Sequence, residues 1–330
     1  MKTRAFRRNV KTLCAVLLTA CTLSFLKPVI GFAAYSYPNA AKYTAGEAEI
    51  KKTVNNLDVD WVCGQVKIEY HRGNTVELHE TSKKKISKDM QMRWWLDGDT
   101  LRVRFAKPGI HQIIVPNKTL TITLPEDSAF REVSIAATSA DFVIPALRAD
   151  SLTLDVTSGD ITAAAEARTA RVEASSGDLE LHFGGKAKEI AVKTSSGELE
   201  LEADSADRVT AESTSGEIDI TAKDVADFLA SSSSGNIRAE IGRVKRAAIS
   251  ATSGNVDVQF SKFDSLTASA TSGNVKADLP EKPGFTATLR VGSGDIRSDL
   301  PLKKDGKTYV CGSGSGEVSI ATTSGNIVIK

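Results

Sequence analysis

A Ser-Gly pair followed by Asp, Glu or Asn and then an apolar residue recurs ten times in the second half of this 330-residue chain. Successive glycines follow one another at a nearly constant spacing, except for a shorter last step. A period of about 20 residues is typical of a solenoid, in which each repeat buries its apolar face only against its neighbours. The repeated glycines are Gly159, Gly177, Gly197, Gly216, Gly235, Gly254, Gly273, Gly294, Gly316 and Gly325.

Apolar residues alternate on both sides of each Ser-Gly pair, and their phase changes at the pair. Around Gly216 they are Val209 and Ala211 before the glycine, then Ile218 and Ile220 after it. Period-two alternation indicates a strand with one buried face. The change of phase keeps that face inward only if the chain turns a corner at the glycine, which accepts backbone angles that a Cβ forbids.

These features predict an all-β fold, a single-stranded β-solenoid (β-helix) with coils of about 19 residues. We expect it to be right-handed, because parallel crossovers are right-handed in about 98% of cases. We expect a signal peptide or membrane anchor at 1–34, a linker at 35–52 and irregular N-terminal coils with a cap at 53–135. Residues 136–330 are predicted to form the regular repeats, continuous with the preceding region. The last coil is expected to be a half-turn shared by Gly316 and Gly325.

The segment 1–34 combines several Lys and Arg near the start, an apolar stretch from Leu13 to Leu26 and an exit of small residues. This pattern predicts a cleaved secretory signal. Cys21 ends a Leu-Thr-Ala-Cys sequence that also fits a lipoprotein box, so a lipidated Cys21 and an uncleaved anchor remain as alternatives. All three export the chain, either secreted or attached to the cell envelope, and only the last two give it membrane contact.

Charge and cysteine content exclude some partners and cross-links. Without residues 1–34 the chain keeps 36 of its 42 Lys and Arg against 41 Asp and Glu, a net charge of −5. This balance argues against a nucleic-acid partner. Cys63 and Cys311 are too many coils apart for a disulfide in a straight solenoid, and Cys311 is predicted to lie inward as a small hydrophobe.

The residues after the first four repeated glycines form what we call the acidic column, Asp160, Asp178, Glu198 and Glu217. One interpretation is an edge that binds calcium, since stacked carboxylates repel one another unless a cation lies between them. The other is a row of solvated carboxylates that accept hydrogen bonds from backbone N–H groups at the corners. We favour the second, because Asn fills the same place at Asn236, Asn255 and Asn274. No metal or cofactor is therefore expected.

Trp94 and Trp95 are the candidates for a surface aromatic contact, since exposed aromatic rings can stack on sugars. Alternatively, they cover the open end of the solenoid, which needs a cap over its core and strand edges. The repeated Ser residues have no nearby His and are expected to bond at the corners rather than act as nucleophiles. No catalytic residue is predicted.

Several segments together resemble the bacterial "putative adhesin" family, a domain of unknown function. They are Leu57 to Asp60 with Gly64 to Ile68, Leu120 to Pro125 and the tandem Ser-Gly repeats. The resemblance covers nearly the whole chain after the leader. It implies a β-solenoid associated with the cell envelope and carries no catalytic residues.

The expected function is that of a non-enzymatic surface interaction or adhesion module, with an unidentified glycan or protein of the cell wall or surface as partner. A β-helix enzyme acting on envelope polysaccharides is one alternative, which requires Asp, Lys or Arg clustered on adjacent coils. A self-assembling structural filament is another.

Overall fold

The computed structural model describes residues 35–109 and 117–330, so the predicted leader and Cys21 lie outside the described residues. The chain divides into two compact units. In the smaller one, the Gly109 N–H donates to the Tyr35 carbonyl at 3.0 Å in an isolated antiparallel bridge. The larger unit holds all the strands described below. Among the described residues, none belongs to a helix long and apolar enough to cross a membrane.

The described part of the chain is almost entirely β-structure. A short 3₁₀-helix spans Ala40–Lys42. The strands are β1 (Thr44–Ala45), β2 (Ala48–Ile50), β3 (Asn56–His71), β4 (Val76–Ser82), β5 (Arg93–Asp97), β6 (Thr100–Arg104), β7 (Lys118–Pro125), β8 (Phe130–Ile144), β9 (Arg148–Ser158), β10 (Ile161–Ser176), β11 (Leu179–Ser196), β12 (Leu199–Ser215), β13 (Ile218–Ser234), β14 (Ile237–Ser253), β15 (Val256–Ser272), β16 (Val275–Asp278), β17 (Gly284–Ser293), β18 (Ile296–Ser298), β19 (Lys303–Asp305), β20 (Thr308–Gly312), β21 (Gly316–Ser324) and β22 (Ile327–Ile329).

The middle of the molecule is a stack of coils, each running from one Ser-Gly corner to the next. Strands β10 to β15 pair in parallel, each with the next in the chain, in registers such as Leu199 with Ile218 and Ile218 with Ile237. The apolar residue two positions after each corner glycine is at most 1% exposed in these coils. The predicted β-solenoid and the length of its coils are confirmed, and its right-handed winding stays a prediction.

Close approach of the coils explains the corner glycines better than backbone conformation does. Gly177 and Gly197 have φ of 125° and 123°, but φ at Gly216 lies outside the left-handed region. A Cβ on Gly216 would nevertheless lie 1.9 Å from the carbonyl oxygen of Gly197, the corner glycine of the preceding coil. The same carbonyl contact recurs at 2.0 Å for Gly235. Only a residue without a side chain fits there.

At the C-terminal end, the order of the coils in space differs from their order in the chain. Strand β21 pairs in parallel with β15 on one side and with β17 on the other. Strand β22 pairs likewise with β16 and β18. The last coil in the chain is therefore inserted between two earlier ones. Its corner is at Gly325, between β21 and β22, whereas Gly316 is the first residue of β21 and pairs with Phe285. The prediction that Gly316 and Gly325 are two corners of a shared half-turn is therefore wrong.

The N-terminal end has the same kind of insertion. Strand β3 pairs in parallel with β8 on one side and with β6 and β7 on the other. Outside this coil, β4 pairs antiparallel with β7 and β5 antiparallel with β6. Strands β2 and β1 then pair with β4 and β5. Residues 35–52, which the sequence predicts as a linker, thus contribute the outermost strands of this end.

Candidate functional site

The residues after the corner glycines lie on the outside of the corners, and the Asp and Asn among them bond to the backbone of the next coil. The Asp141 carboxylate accepts a hydrogen bond from the Asp160 N–H at 3.1 Å. The Asp160 carboxylate accepts from the Asp178 N–H at 2.9 Å, and the Asp178 carboxylate from the Glu198 N–H at 2.8 Å. Glu217 occupies the same corner position one coil further on. Within the acidic column, Asp160 and Asp178 are therefore carboxylates bonded to corner N–H groups, while Glu198 and Glu217 share their position at the corner.

In the following coils, uncharged asparagine side chains take the same corner position and accept the same hydrogen bond from the backbone N–H of the next coil. The Asn236 Oδ1 accepts from the Asn255 N–H at 3.0 Å, and the Asn255 Oδ1 from the Asn274 N–H at 2.9 Å. Asn326 donates to Asn274 at 2.9 Å although the two are distant in the chain, and Asp295 donates to Asn326 at 2.9 Å. Within residues 35–109 and 117–330, no three His, Cys, Asp or Glu side chains are grouped so that they could hold a metal ion.

The two candidate tryptophans lie on opposite faces of β5, because successive side chains of a strand alternate. Trp94 lies opposite Val103, which is fully buried, and its Nε1 is buried without a hydrogen-bond partner. Trp95 lies opposite Arg102 on the other face. The structure therefore separates the pair. Trp94 faces the interior of the N-terminal end, and Trp95 faces outward.

Trp95 belongs to an aromatic cluster with Tyr37 and Tyr43. The ring centroids of Tyr37 and Tyr43 are 4.8 Å apart, and Tyr43 meets Trp95 edge to face at 5.6 Å. The Lys42 ammonium lies 4.6 Å from the centroid of the Trp95 ring, and the Arg102 guanidinium lies 6.0 Å from it. All three aromatic side chains are half-buried. The cluster thus combines partly accessible rings with two cations.

Residues before β2 build this cluster, which is why local sequence reasoning missed it. Strand β1 pairs with β5 and brings Tyr43 against Trp95. The Tyr37 hydroxyl donates to the Ala106 carbonyl at 3.0 Å. Burial raises the pKa of Tyr37 to about 12 and also raises the pKa of Tyr43, so both phenols are neutral near pH 7. The sequence signal is the Tyr content of residues 35–43, within the segment predicted as a linker.

Sequence reasoning also missed a buried ion pair, between Lys118 and Glu80. The Lys118 Nζ lies 2.5 Å from the Glu80 carboxylate, and the two side chains are 0% and 4% exposed. The ammonium also donates to the Met90 carbonyl at 2.7 Å and lies 4.8 Å and 3.8 Å from the ring centroids of Trp61 and Phe105. Every donor direction of this cation therefore meets an acceptor or a ring.

The ion pair between Lys118 and Glu80 is shielded from solvent and joins separate strands. Burial lowers the pKa of Lys118, and the hydrogen bond to Glu80 opposes that shift. The Glu80 carboxylate also accepts from the Met92 N–H at 3.1 Å, which links β4 to the residues just before β5. Lys118 precedes Leu120 and Ile122 in a period-two pattern, so the alternation itself places this lysine inward.

The fold and the column of corner residues define a β-solenoid with coils inserted out of chain order at both ends. A family model described as Toastrack DUF4097 matches residues 54–260 and 231–330. The chain therefore belongs to the Toastrack DUF4097 family, a domain of unknown function. A search of curated proteins found no match.

Three crystal structures align over most of the chain at low sequence identity. A putative cell adhesion protein from Clostridium sporogenes is 12% identical, with 87% of this chain and 99% of that chain covered and a TM-score of 0.20. A "putative adhesin" from Bacteroides fragilis is 14% identical, with 86% and 96% covered and a TM-score of 0.37. Another from Parabacteroides distasonis is 12% identical, with 86% and 97% covered and a TM-score of 0.32.

Proposed function

We propose that this protein is a non-enzymatic interaction or adhesion module, secreted or attached to the cell envelope, that binds a surface glycan through its aromatic cluster. The observation that carries the proposal is the outward-facing Trp95 ring with Tyr37 and Tyr43 beside it. Aromatic rings offer apolar faces to sugar rings, and nearby polar groups can bond to the hydroxyls. The pattern of residues 1–34 supports export.

The flanking charges suit a glycan that carries acidic groups. Lys42 is exposed and close to the Trp95 ring, so its ammonium can reach a carboxylate on a stacked sugar. Arg102 is held by the carboxylates of Asp58 and Asp97, which fixes the guanidinium beside the same ring. A preorganised cation costs less entropy on binding than a freely rotating one. We therefore place cell-wall glycans with carboxylate groups first among the ligands to test.

The test is binding of the purified protein to isolated cell walls and to a glycan panel. Trp95→Ala should weaken binding at least about tenfold, since removing a central aromatic anchor commonly costs more than about 1.4 kcal/mol. Tyr309→Ala is the matched control, because Tyr309 is a half-buried aromatic at the opposite end of the chain. Equal binding by Trp95→Ala and the wild type would refute the site. Turnover of any glycan by the protein would refute the non-enzymatic assignment.

A further inference from the structure

The spatially last coil of the solenoid, formed by β17 and β18, has an edge that no described strand covers. Strand β20 pairs antiparallel with Gly284 to Ala287 of β17. Within the described residues, the rest of β17 and all of β18 have partners on one side only, β21 and β22. The N-terminal end differs, since the short strands β1 and β2 cover it. Unpaired strand edges are templates for further pairing.

The backbone of β18 presents both a donor and an acceptor at this edge. The Asp295 carbonyl accepts from the Ile327 N–H at 2.9 Å, and the Asp299 N–H donates to the Ile329 carbonyl at 2.9 Å. Asp295 and Asp299, which flank β18 on either side, thus direct these backbone groups to β22, and the alternation places those of Arg297 on the same side. Because these groups alternate along a strand, the N–H and C=O of Ile296 point to the open side.

The side chain of Ile296 marks the same edge. Ile296 is the only large hydrophobic side chain that is exposed among the described residues, at 37%. It belongs to the inward column, and the equivalent Ile327 and Val275 are fully buried because a further coil lies over each of them. The core of the solenoid therefore lacks its last covering layer at Ile296.

The charges on either side of Ile296 form a self-complementary pattern. Asp295 and Arg297 point outward with side chains 69% and 74% exposed, and their charged atoms are 3.5 Å apart within one strand. If a second β18 strand pairs antiparallel about Ile296, each Asp295 lies directly opposite the Arg297 of the other copy. That position is a non-hydrogen-bonded pair, in which facing side chains are closest.

We propose that a second copy of this chain covers the open edge, through a two-fold pairing of the β18 strands centred on Ile296. In this arrangement the two Ile296 residues exchange both backbone hydrogen bonds, their side chains adjoin, and two Asp295–Arg297 pairs flank them. A two-fold contact uses the same surface on both copies and closes, so it yields a dimer and not a filament. The dimer is independent of glycan binding, since the aromatic cluster lies at the other end of the stack.

Sedimentation velocity over concentrations on the order of 1 µM to 1 mM tests the proposal, because a small interface gives weak, reversible association. The wild type should show a monomer–dimer equilibrium. D295R and R297D place like charges opposite each other, so each variant alone should dissociate at least about tenfold more readily. An equimolar mixture of the two should recover dimers that contain one copy of each. In such a dimer the two introduced charges face each other, as do the unchanged Arg297 and Asp295.

The matched control is R238D, which reverses an exposed arginine at the same corner-relative position of an interior coil and should leave the equilibrium unchanged. Circular dichroism and melting temperature show whether each variant keeps the wild-type fold. A wild type that stays monomeric throughout would overturn the proposal, because a different partner or none would then cover the edge. Dimers that persist in both single variants, or a mixture that fails to pair, would also overturn it.

Discussion

Replacing a corner glycine by alanine should show whether glycine is needed there because the coils lie close together or because of its backbone conformation. In Gly216→Ala the new Cβ would lie 1.9 Å from the Gly197 carbonyl oxygen, whereas ordinary contact begins at 3.4 Å. The two coils would have to separate there by about 1.5 Å. The bond from the Leu199 N–H to the Glu217 carbonyl, 2.9 Å long, spans the same corner and would break. Overpacking costs about 1–3 kcal/mol and a lost hydrogen bond about 1 kcal/mol, so we expect a loss of about 2–4 kcal/mol.

Two glycines of β11 provide the controls. Gly185 has φ of 70° with open space where a Cβ would be, so Gly185→Ala should cost only the conformational strain, about 1–2 kcal/mol. Gly184 lies outside the left-handed region and its nearest contact would be 3.5 Å, so Gly184→Ala should change stability by less than about 0.5 kcal/mol.

Urea unfolding followed by far-ultraviolet circular dichroism measures all three, with the slope m checked for constancy. The expected order of destabilisation is Gly216→Ala first, then Gly185→Ala, then Gly184→Ala. A Gly216→Ala protein within about 0.5 kcal/mol of the wild type would show that the corner does not depend on close approach of the coils. A loss of unfolding free energy in Gly216→Ala that is no larger than in Gly184→Ala would lead to the same conclusion.

Lys118→Met should lower the free energy of unfolding by about 3–5 kcal/mol, because Glu80 then keeps a buried charge without its cation. In the double variant that also carries Glu80→Gln, much of this loss should be recovered in the same urea assay. Millimolar calcium should leave the melting temperature of the wild type unchanged, because Asp160 and Asp178 of the acidic column already bond to backbone N–H groups. A rise that disappears when the four carboxylates of the column are replaced by asparagine would contradict this. Stability should fall as the pH rises from 10 towards 12. Burial raises the pKa of Tyr37 and Tyr70 to about 12, so the native state retains protons that the unfolded chain releases. Denaturation curves between these pH values check this, and the fall should be smaller in a variant with both tyrosines replaced by phenylalanine.

The regular coils could be predicted from the sequence because their determinants are local. The phase change at Gly216 and the alternation around it specify strand, corner and strand without knowledge of any distant residue. The corner column was predictable for the same reason, down to the hydrogen bonds that Asp160 and Asp178 accept. The reason why glycine is required at the corners was only partly predictable. The close approach of the Gly197 carbonyl to Gly216 is a contact between two coils, which the local sequence does not show.

The two ends could not be predicted because their pairings join segments that are distant in the chain. Nothing local to Gly316 distinguishes it from a corner, since it has the same Ser-Gly-Glu sequence as Gly216. Its position follows from the pairing of β21 with both β15 and β17. The aromatic cluster was missed for the same reason, since Tyr43 reaches Trp95 only through the pairing of β1 with β5.

The out-of-order coils at both ends restrict how this protein can change length in evolution. A duplicated coil placed directly after β22 in the chain would find no free edge there, because β22 is already paired on both sides by β16 and β18. A coil inserted within the stack from β10 to β15 would find a parallel neighbour on either side and leave both ends intact. The number of repeats in this architecture should therefore change by duplication of coils inside the stack, while the coils at the two ends stay the same.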